Sequence, residues 1–325
     1  MAKDFTFTNG VIAVKEKSLL SDRILKLCDS GAEEALRTLT DCGFGKGAEA
    51  DSVYEFEKLI SADGAAIDEF IREYAPSQTE LIYLFAARDF HNAKAIVKAQ
   101  CLNLEVRDML APDGLIPSAQ ISQCVAEKKF DTLGKILGEA AKSAYEKLTG
   151  EESKSVSGAE IGAIFERALF EYLFSSCKKN RTLKKLLTAK ADMTNILVAL
   201  RSQDFEQASK FFVSGGKLSF AKLEKLFDSD AEKMSRALEG TPYGDFLSLC
   251  LADKSANLPL TQAERVMESY EAKFFSARKY ELERREPFLY YVFRRRAENA
   301  DVRILFVCLL AGMGEREIKA RLRAV

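Results

Sequence analysis

Histidine is almost missing from this 325-residue chain, in which His91 stands alone. Zinc fingers, zincin helices and other sites built on paired imidazoles are excluded with it, and a single histidine reads as structural. Cysteine occurs at 28, 42, 101, 124, 177, 250 and 308, an odd set with no C-x-x-C pair. Buried free thiols in a reducing compartment fit this better than a disulfide framework. Long apolar runs are absent too. Ile304 to Met313 is about half the roughly 20 residues that a bilayer crossing requires, and Met1-Ala2-Lys3-Asp4 opens no apolar leader. The expectation is a chain that neither spans nor leaves the membrane by itself.

Neither charge is in excess. Lys plus Arg number 48 against 49 Asp plus Glu, a net charge of −1, so no global field draws nucleic acid or anionic lipid. Signatures of chemistry are lacking as well. Gly43-Phe44-Gly45-Lys46-Gly47 has neither the four-residue spacing nor the Ser or Thr of a phosphate loop, and no strand leads into it. It reads as a flexible turn. No G-x-S-x-G elbow or plausible Cys-His pair occurs, and the many helical carboxylates read as solvated faces. No catalytic residue, cofactor or metal site is expected.

What is present is an ordinary globular balance, 47% hydrophobic and 30% charged, over a length that suits two or three domains. Prolines at 76, 112, 117, 242, 259 and 287 separate long stretches of helical spacing. Three capping boxes, Ser77 with Glu80, Ser157 with Glu160 and Thr261 with Glu264, precede such stretches. From Thr261 a polar-rich helix is expected to continue towards Arg285 until Pro287 stops it. No strand pair or Asn-Gly hairpin is found. Phe288 to Ala311 would extend about 36 Å as one helix. Its apolar second half is compatible with a buried strand by composition, while the uninterrupted lead-in favours a helix. The fold class read from these patterns is all-α.

An internal repeat emerges from offsets rather than identities. Arg88-Asp89-Phe90-His91-Asn92, Ala191-Asp192-Met193-Thr194-Asn195 and Arg295-Arg296-Ala297-Glu298-Asn299 place an asparagine inside three helices, 103 and 104 residues apart. Leu20-Ser21, Ile116-Pro117 and Leu218-Ser219 look like helix starts. Apolar Leu25, Ile121 and Leu223 follow them, then Cys28, Cys124 and Leu226. A turn, Thr40-Asp41-Cys42-Gly43 or Thr241-Pro242-Tyr243-Gly244, recurs in the outer two copies and is degenerate in the middle one. Each copy reads as an opening helix, a turn, a longer helix and an Asn-bearing helix. The units predicted are 1–110, 111–213 and 214–325. Asn92, Asn195 and Asn299 are expected to be helix-interior amides bonding the start of a neighbouring helix, since a buried amide needs partners.

Two charged clusters remain. Lys178, Lys179, Arg181, Lys184, Lys185 and Lys190 form a helix-borne run without interleaved aromatics. It reads as a solvated face, with phosphate or lipid contact as the alternative. Arg294-Arg295-Arg296 lies beside Tyr290, Tyr291 and Phe293. Arginines stacked with aromatics suit a protein interface, and snorkelling over a helix core is the competing reading. Tyr290, Arg294, Arg295 and Arg303 are the candidates for a partner interface.

The chain resembles the C subunits of bacterial and archaeal V-type (A-type) ATPases, which are related to the eukaryotic d subunit. The resemblance is carried by Asp89-Phe90-His91-Asn92-Ala93-Lys94, by Gly114-Leu115-Ile116-Pro117, and by the tail. That tail runs from Glu286-Pro287-Phe288-Leu289-Tyr290-Tyr291 through Glu298-Asn299-Ala300-Asp301-Val302-Arg303 to Glu317-Ile318-Lys319-Ala320-Arg321-Leu322-Arg323. The resemblance implies three helical domains forming a funnel with pseudo-threefold symmetry. It implies a non-catalytic rotor component, one copy per complex, held at the cytoplasmic membrane face by protein partners. Those partners are a shaft of D and F subunits and a membrane ring of proteolipids. From the residues alone, a free-standing helical-repeat scaffold and an enzyme of unrecognised type remain open.

Overall fold

The structure, a computed structural model, describes residues 5–151, 156–228, 230–255, 261–281 and 283–323. Among them every regular element is helical and none is a strand. In chain order the helices are α1 (Phe5–Lys15), α2 (Ser21–Leu27), α3 (Ala32–Asp41), α4 (Phe56–Tyr74), α5 (Gln78–Leu102), α6 (Ser118–Ala126), α7 (Lys135–Thr149) and α8 (Gly158–Ser176). They continue as α9 (Arg181–Arg201), α10 (Phe205–Ser209), α11 (Phe220–Glu224), α12 (Ala231–Ala237), α13 (Gly244–Ser255), α14 (Thr261–Ser276), α15 (Glu286–Leu310) and α16 (Glu315–Lys319).

Local chemistry accounts for several boundaries. At α8 the Ser157 side chain accepts from the Glu160 N–H at 3.1 Å while the Glu160 carboxylate accepts from the Ser157 N–H at 2.8 Å, so two orphan donors are satisfied reciprocally. Before α5 the Ser77 hydroxyl instead donates to the Glu80 carboxylate and accepts from the Thr79 N–H. The Thr261 side chain and Pro259 lie outside the described residues. Pro287 does not stop a helix: α14 ends at Ser276, and Pro287 sits in the first turn of α15. A first-turn residue has no intrahelical acceptor for its N–H, so proline is tolerated there. From it α15 runs unbroken through the Ile304 stretch, which is therefore helical.

The opening helix of the first copy is in fact two, α2 and α3. The Ser30 hydroxyl and N–H both donate to the Leu27 carbonyl, and Gly31 is extended, which ends α2 and caps α3. The same pattern of two shorter helices before the longer ones recurs as α6–α7 and α11–α12. Leu25 is 45% exposed, whereas Ile24 is buried. The N-cap residues are Leu20, Pro117 and Ser219, so the first copy runs one position earlier than its Leu-Ser pair suggests. Counted from the caps, Ile24, Ile121 and Leu223 are equivalent and all are buried.

Contacts gather the chain into two compact units, one of residues 1–80 with 265–325 and one of residues 81–264. In the first, α15 packs along α4 and also meets α1, α2, α3 and α16. Its core joins Leu20, Ile24 and Leu39 to Leu59, Leu305 and Phe306, with the Phe56 and Phe306 rings stacked 5.0 Å apart. In the second, α5, α6, α7 and α8 share a core of Phe90, Val97, Ile121, Leu137, Ile161 and Phe165, and the small Ala140, Ala141 and Ala144 lie on its α7 side.

Candidate functional site

The feature that most organises this chain is a set of side-chain clamps on its long helices. On α5, Asp89 and Asn92 are three residues apart and so share a face. The Asn92 amide donates to the Ala111 carbonyl at 3.1 Å and accepts from the Ala111 N–H at 2.8 Å. One turn back, Asp89 accepts from the N–H groups of Leu115 (2.9 Å) and Ile116 (3.0 Å). Helix α9 repeats the device: Asn195 exchanges bonds of 3.0 and 2.8 Å with Val213, and Asp192 accepts from Lys217 (3.0 Å) and Leu218 (2.9 Å). The Tyr243 hydroxyl also donates to Asp192 at 2.8 Å.

Each carboxylate presses against a glycine. A Cβ on Gly114 would stand 2.2 Å from Asp89 Oδ1, and one on Gly216 would stand 2.2 Å from Asp192 Oδ1. Only a residue without a side chain lets the backbone come that close. Hydrogen bonds to a charged acceptor contribute about 1.5–3 kcal/mol each, enough to fix the loop that leads into the next helix.

On α15 the clamp is built differently. Glu298 Oε1 accepts from the Leu20 N–H at 2.7 Å, so the last long helix holds the start of α2. Asn299 donates to the Ile60 carbonyl at 2.9 Å, inside α4 rather than in a loop. Arg295 bonds Asp63 at 2.6 Å and reaches Glu298 at 3.4 Å, and both carboxylates are buried. Burial pulls the Arg295 guanidinium down, but Asp63, Tyr291 and Glu298 together hold it above its ordinary range. Removing one partner of such a buried pair typically costs about 3–5 kcal/mol. Further along α15, Asp301 accepts from the Arg323 N–H at 3.1 Å and so fastens the segment that follows α16.

The four candidates for a partner interface are thus brought onto one helix in different settings. Tyr290 is buried, with the Lys279 ammonium 5.3 Å and the Arg294 guanidinium 6.0 Å from its ring centre. Arg295 is enclosed by its carboxylates, and Arg303 is accessible, paired at both nitrogens with Glu57 at 2.8 Å. His91 Nε2 donates to the Met109 carbonyl at 3.0 Å, in the loop that Asn92 also holds. Of the basic run, Lys178, Lys179, Arg181, Lys184 and Lys185 are exposed, whereas Lys190 is half-buried 5.8 Å over the Tyr83 ring.

All seven cysteines are free thiols. The Cys250 thiol is pushed up to about 12 by burial and by the Asp253 charge, which leaves almost no thiolate at neutral pH. Among the described residues no group of three or more His, Cys, Asp or Glu is placed to hold a metal ion, and no helix is long and apolar enough to cross a membrane.

Sequence reasoning settles on the asparagines and passes over Asp89, Asp192 and Glu298. A signal was available: Asp stands three residues before Asn in the first two copies, and Gly-Leu-Ile begins 25 residues beyond Asp89 where Gly-Lys-Leu begins 24 beyond Asp192. In the third copy Arg296 occupies the Asp position, and the clamp comes from the longer Glu298, which no offset reveals.

Comparison with known proteins finds a family and two relatives. The model of the ATP synthase (C/AC39) subunit family matches residues 8–321. The C subunit of an A-type ATP synthase from Methanobrevibacter smithii is 21% identical over 271 residues, 78% of this chain and 70% of that protein. The C subunit of a V-type sodium ATPase from Enterococcus hirae is 19% identical over 279 residues, 83% of each chain.

Proposed function

Because the chain belongs to the ATP synthase (C/AC39) subunit family, we propose that it is a non-catalytic central-stalk component of a rotary ATPase. In this reading it is the socket between a shaft of D and F subunits and the proteolipid ring, present once per complex. It stands at the cytoplasmic membrane face through these partners. The observation that carries the proposal is the family match over residues 8–321, supported by relatives whose names are those of ATPase subunits. The division into 1–110, 111–213 and 214–325, and the funnel implied by the resemblance, belong to the same proposal. So do Tyr290, Arg294, Arg295 and Arg303 as a partner-facing region, with Arg303 its accessible member.

The physical requirements of that role match what the residues supply. A torque adaptor has to resist deformation, and close-packed helices with interlocked side chains do so. Clamps from Asp89 and Asp192 tie successive segments, and Glu298 ties the last long helix to the start of α2. Light scattering on a size-exclusion column tests the reading, with this chain mixed with the cognate D and F subunits. A stable one-to-one-to-one complex is expected. Separate elution at micromolar concentration, with every component folded, overturns the socket role and favours a scaffold outside the ATPase.

A further inference from the structure

In the second unit, the turn from α8 into α9 carries a block of one charge. Lys178, Lys179, Arg181, Lys184 and Lys185 fall within residues 178–185, and no Asp or Glu occurs between Glu171 and Asp192. The two helices are joined by residues 177–180 and pack on each other, with Phe170 and Ala191 in one small core. The block therefore sits at the closed end of a helical hairpin. Its backbone is held firmly: Cys177, Leu183, Leu186 and Leu187 are fully buried, and the Asn180 side chain accepts from the Leu183 N–H at 3.1 Å. All five cationic side chains are exposed. Among the described residues, none of the five has a carboxylate in ion-pair contact. Lys190, further along α9, lies over the Tyr83 ring and is no member of the block.

This placement works against the helix that carries it. Arg181 is the first residue of α9, and the first turn holds no carboxylate. The positive end of the helix dipole lies there, so cations raise the energy of this end. Departures from local preference that no internal partner offsets are expected at functional positions.

We propose that the α8–α9 tip binds the surface of an anionic lipid bilayer. Charge complementarity selects the occupant, since groups of about four to eight basic residues are what acidic headgroups attract. Side-chain identity selects lipid over protein: four of the five are lysines, which protein interfaces avoid in favour of arginine. Single-stranded nucleic acid calls for stacking rings, and residues 178–185 contain no aromatic. Leu183, Leu186 and Leu187 face inward, so the tip adsorbs to headgroups without inserting into hydrocarbon. A fluid leaflet offers many equivalent headgroups, which suits an open array of separate charges better than one enclosed anion does. The inference adds a direct lipid contact to the rotor reading and does not depend on it.

The test is co-flotation of the full chain with phosphatidylcholine vesicles, with and without phosphatidylglycerol, at low and moderate salt. The wild type should float only with phosphatidylglycerol present and should be released as salt rises. Lys179→Gln and Lys184→Gln should each weaken partitioning about fivefold, while Lys142→Gln, exposed on α7, should leave it unchanged. Arg181→Glu separates fold from docking: a carboxylate suits the first turn, so the variant should melt no lower than wild type and still partition more weakly. Absence of flotation, or equal flotation without phosphatidylglycerol, overturns the inference and leaves the socket reading intact, because the vesicles contain no protein. An equal loss on Lys142→Gln would overturn the assignment to the tip. Release by inorganic phosphate at matched ionic strength would overturn the lipid surface in favour of a discrete phosphate site. Binding to the D and F subunits that is lost on Lys184→Gln, without flotation, would overturn it in favour of an acidic protein.

Discussion

Cys250 shows what burial does to one side chain. Its thiol is fully enclosed on α13 and pushed up to about 12 from 9.0, first by desolvation and then by Asp253. Below pH 9 both folded and unfolded chains keep the proton, and the group contributes nothing to the pH dependence. Between about 9 and 12 the unfolded chain releases it while the native thiol retains it, so stability falls as pH rises, at up to about 1.4 kcal/mol per pH unit. Urea midpoints at pH 8 to 10.5 should show this decline, and Cys250→Ala should flatten it by the share of one proton. An unchanged slope in the variant would place the alkaline loss in other groups, of which Tyr291 and Tyr270 are also raised by burial. At this scale the sequence was partly legible. Asn92 and Asn195 stood out by their offset, but Asp63 did not, because nothing local distinguishes a solvated carboxylate from one that a residue far along the chain will cover.

At the scale of elements, glycine placement gives the sharpest contrast. Gly114 and Gly216 face a carboxylate oxygen that a methyl group would overlap, and each precedes a helix whose entry that carboxylate fixes. Gly162 lies in a helix interior facing open space. Gly114→Ala and Gly216→Ala should therefore each cost about 2–4 kcal/mol through a displaced clamp. Gly162→Ala should gain about 0.5–1 kcal/mol. Denaturant titration of the three variants checks the signs, and a neutral Gly216→Ala would mean that the clamp tolerates displacement. Helix identity was readable from periodicity and caps, including the unbroken run of α15. The ends were less so: Pro287 fits an initiation as well as a stop, and the Ser30-Gly31 break between α2 and α3 is made by a backbone turn that hydrophobic spacing does not register.

For the whole molecule, the repeat offsets predicted succession but not partnership. Residues 1–80 join 265–325 because α15 supplies what the opening helices lack: the Glu298 acceptor for Leu20, the Arg295 charge for Asp63 and the Phe306 ring for Phe56. No spacing rule says which segment closes on which. If this unit is cooperative, the amides of α2 and α15 should open together when hydrogen exchange is followed by mass spectrometry in rising urea. Opening of α2 while α15 stays protected would separate the two ends. The Glu298 tie also bears on how the protein is made. A ribosome delivers the chain from its first residue, so the segment starting at Leu20 emerges long before the helix that will hold it. Residues 81–264 draw their contacts from one another and can consolidate in the interval. The segment at Leu20 is thus secured only after α15 has been made, and until then it is the portion most exposed to chaperones and proteases.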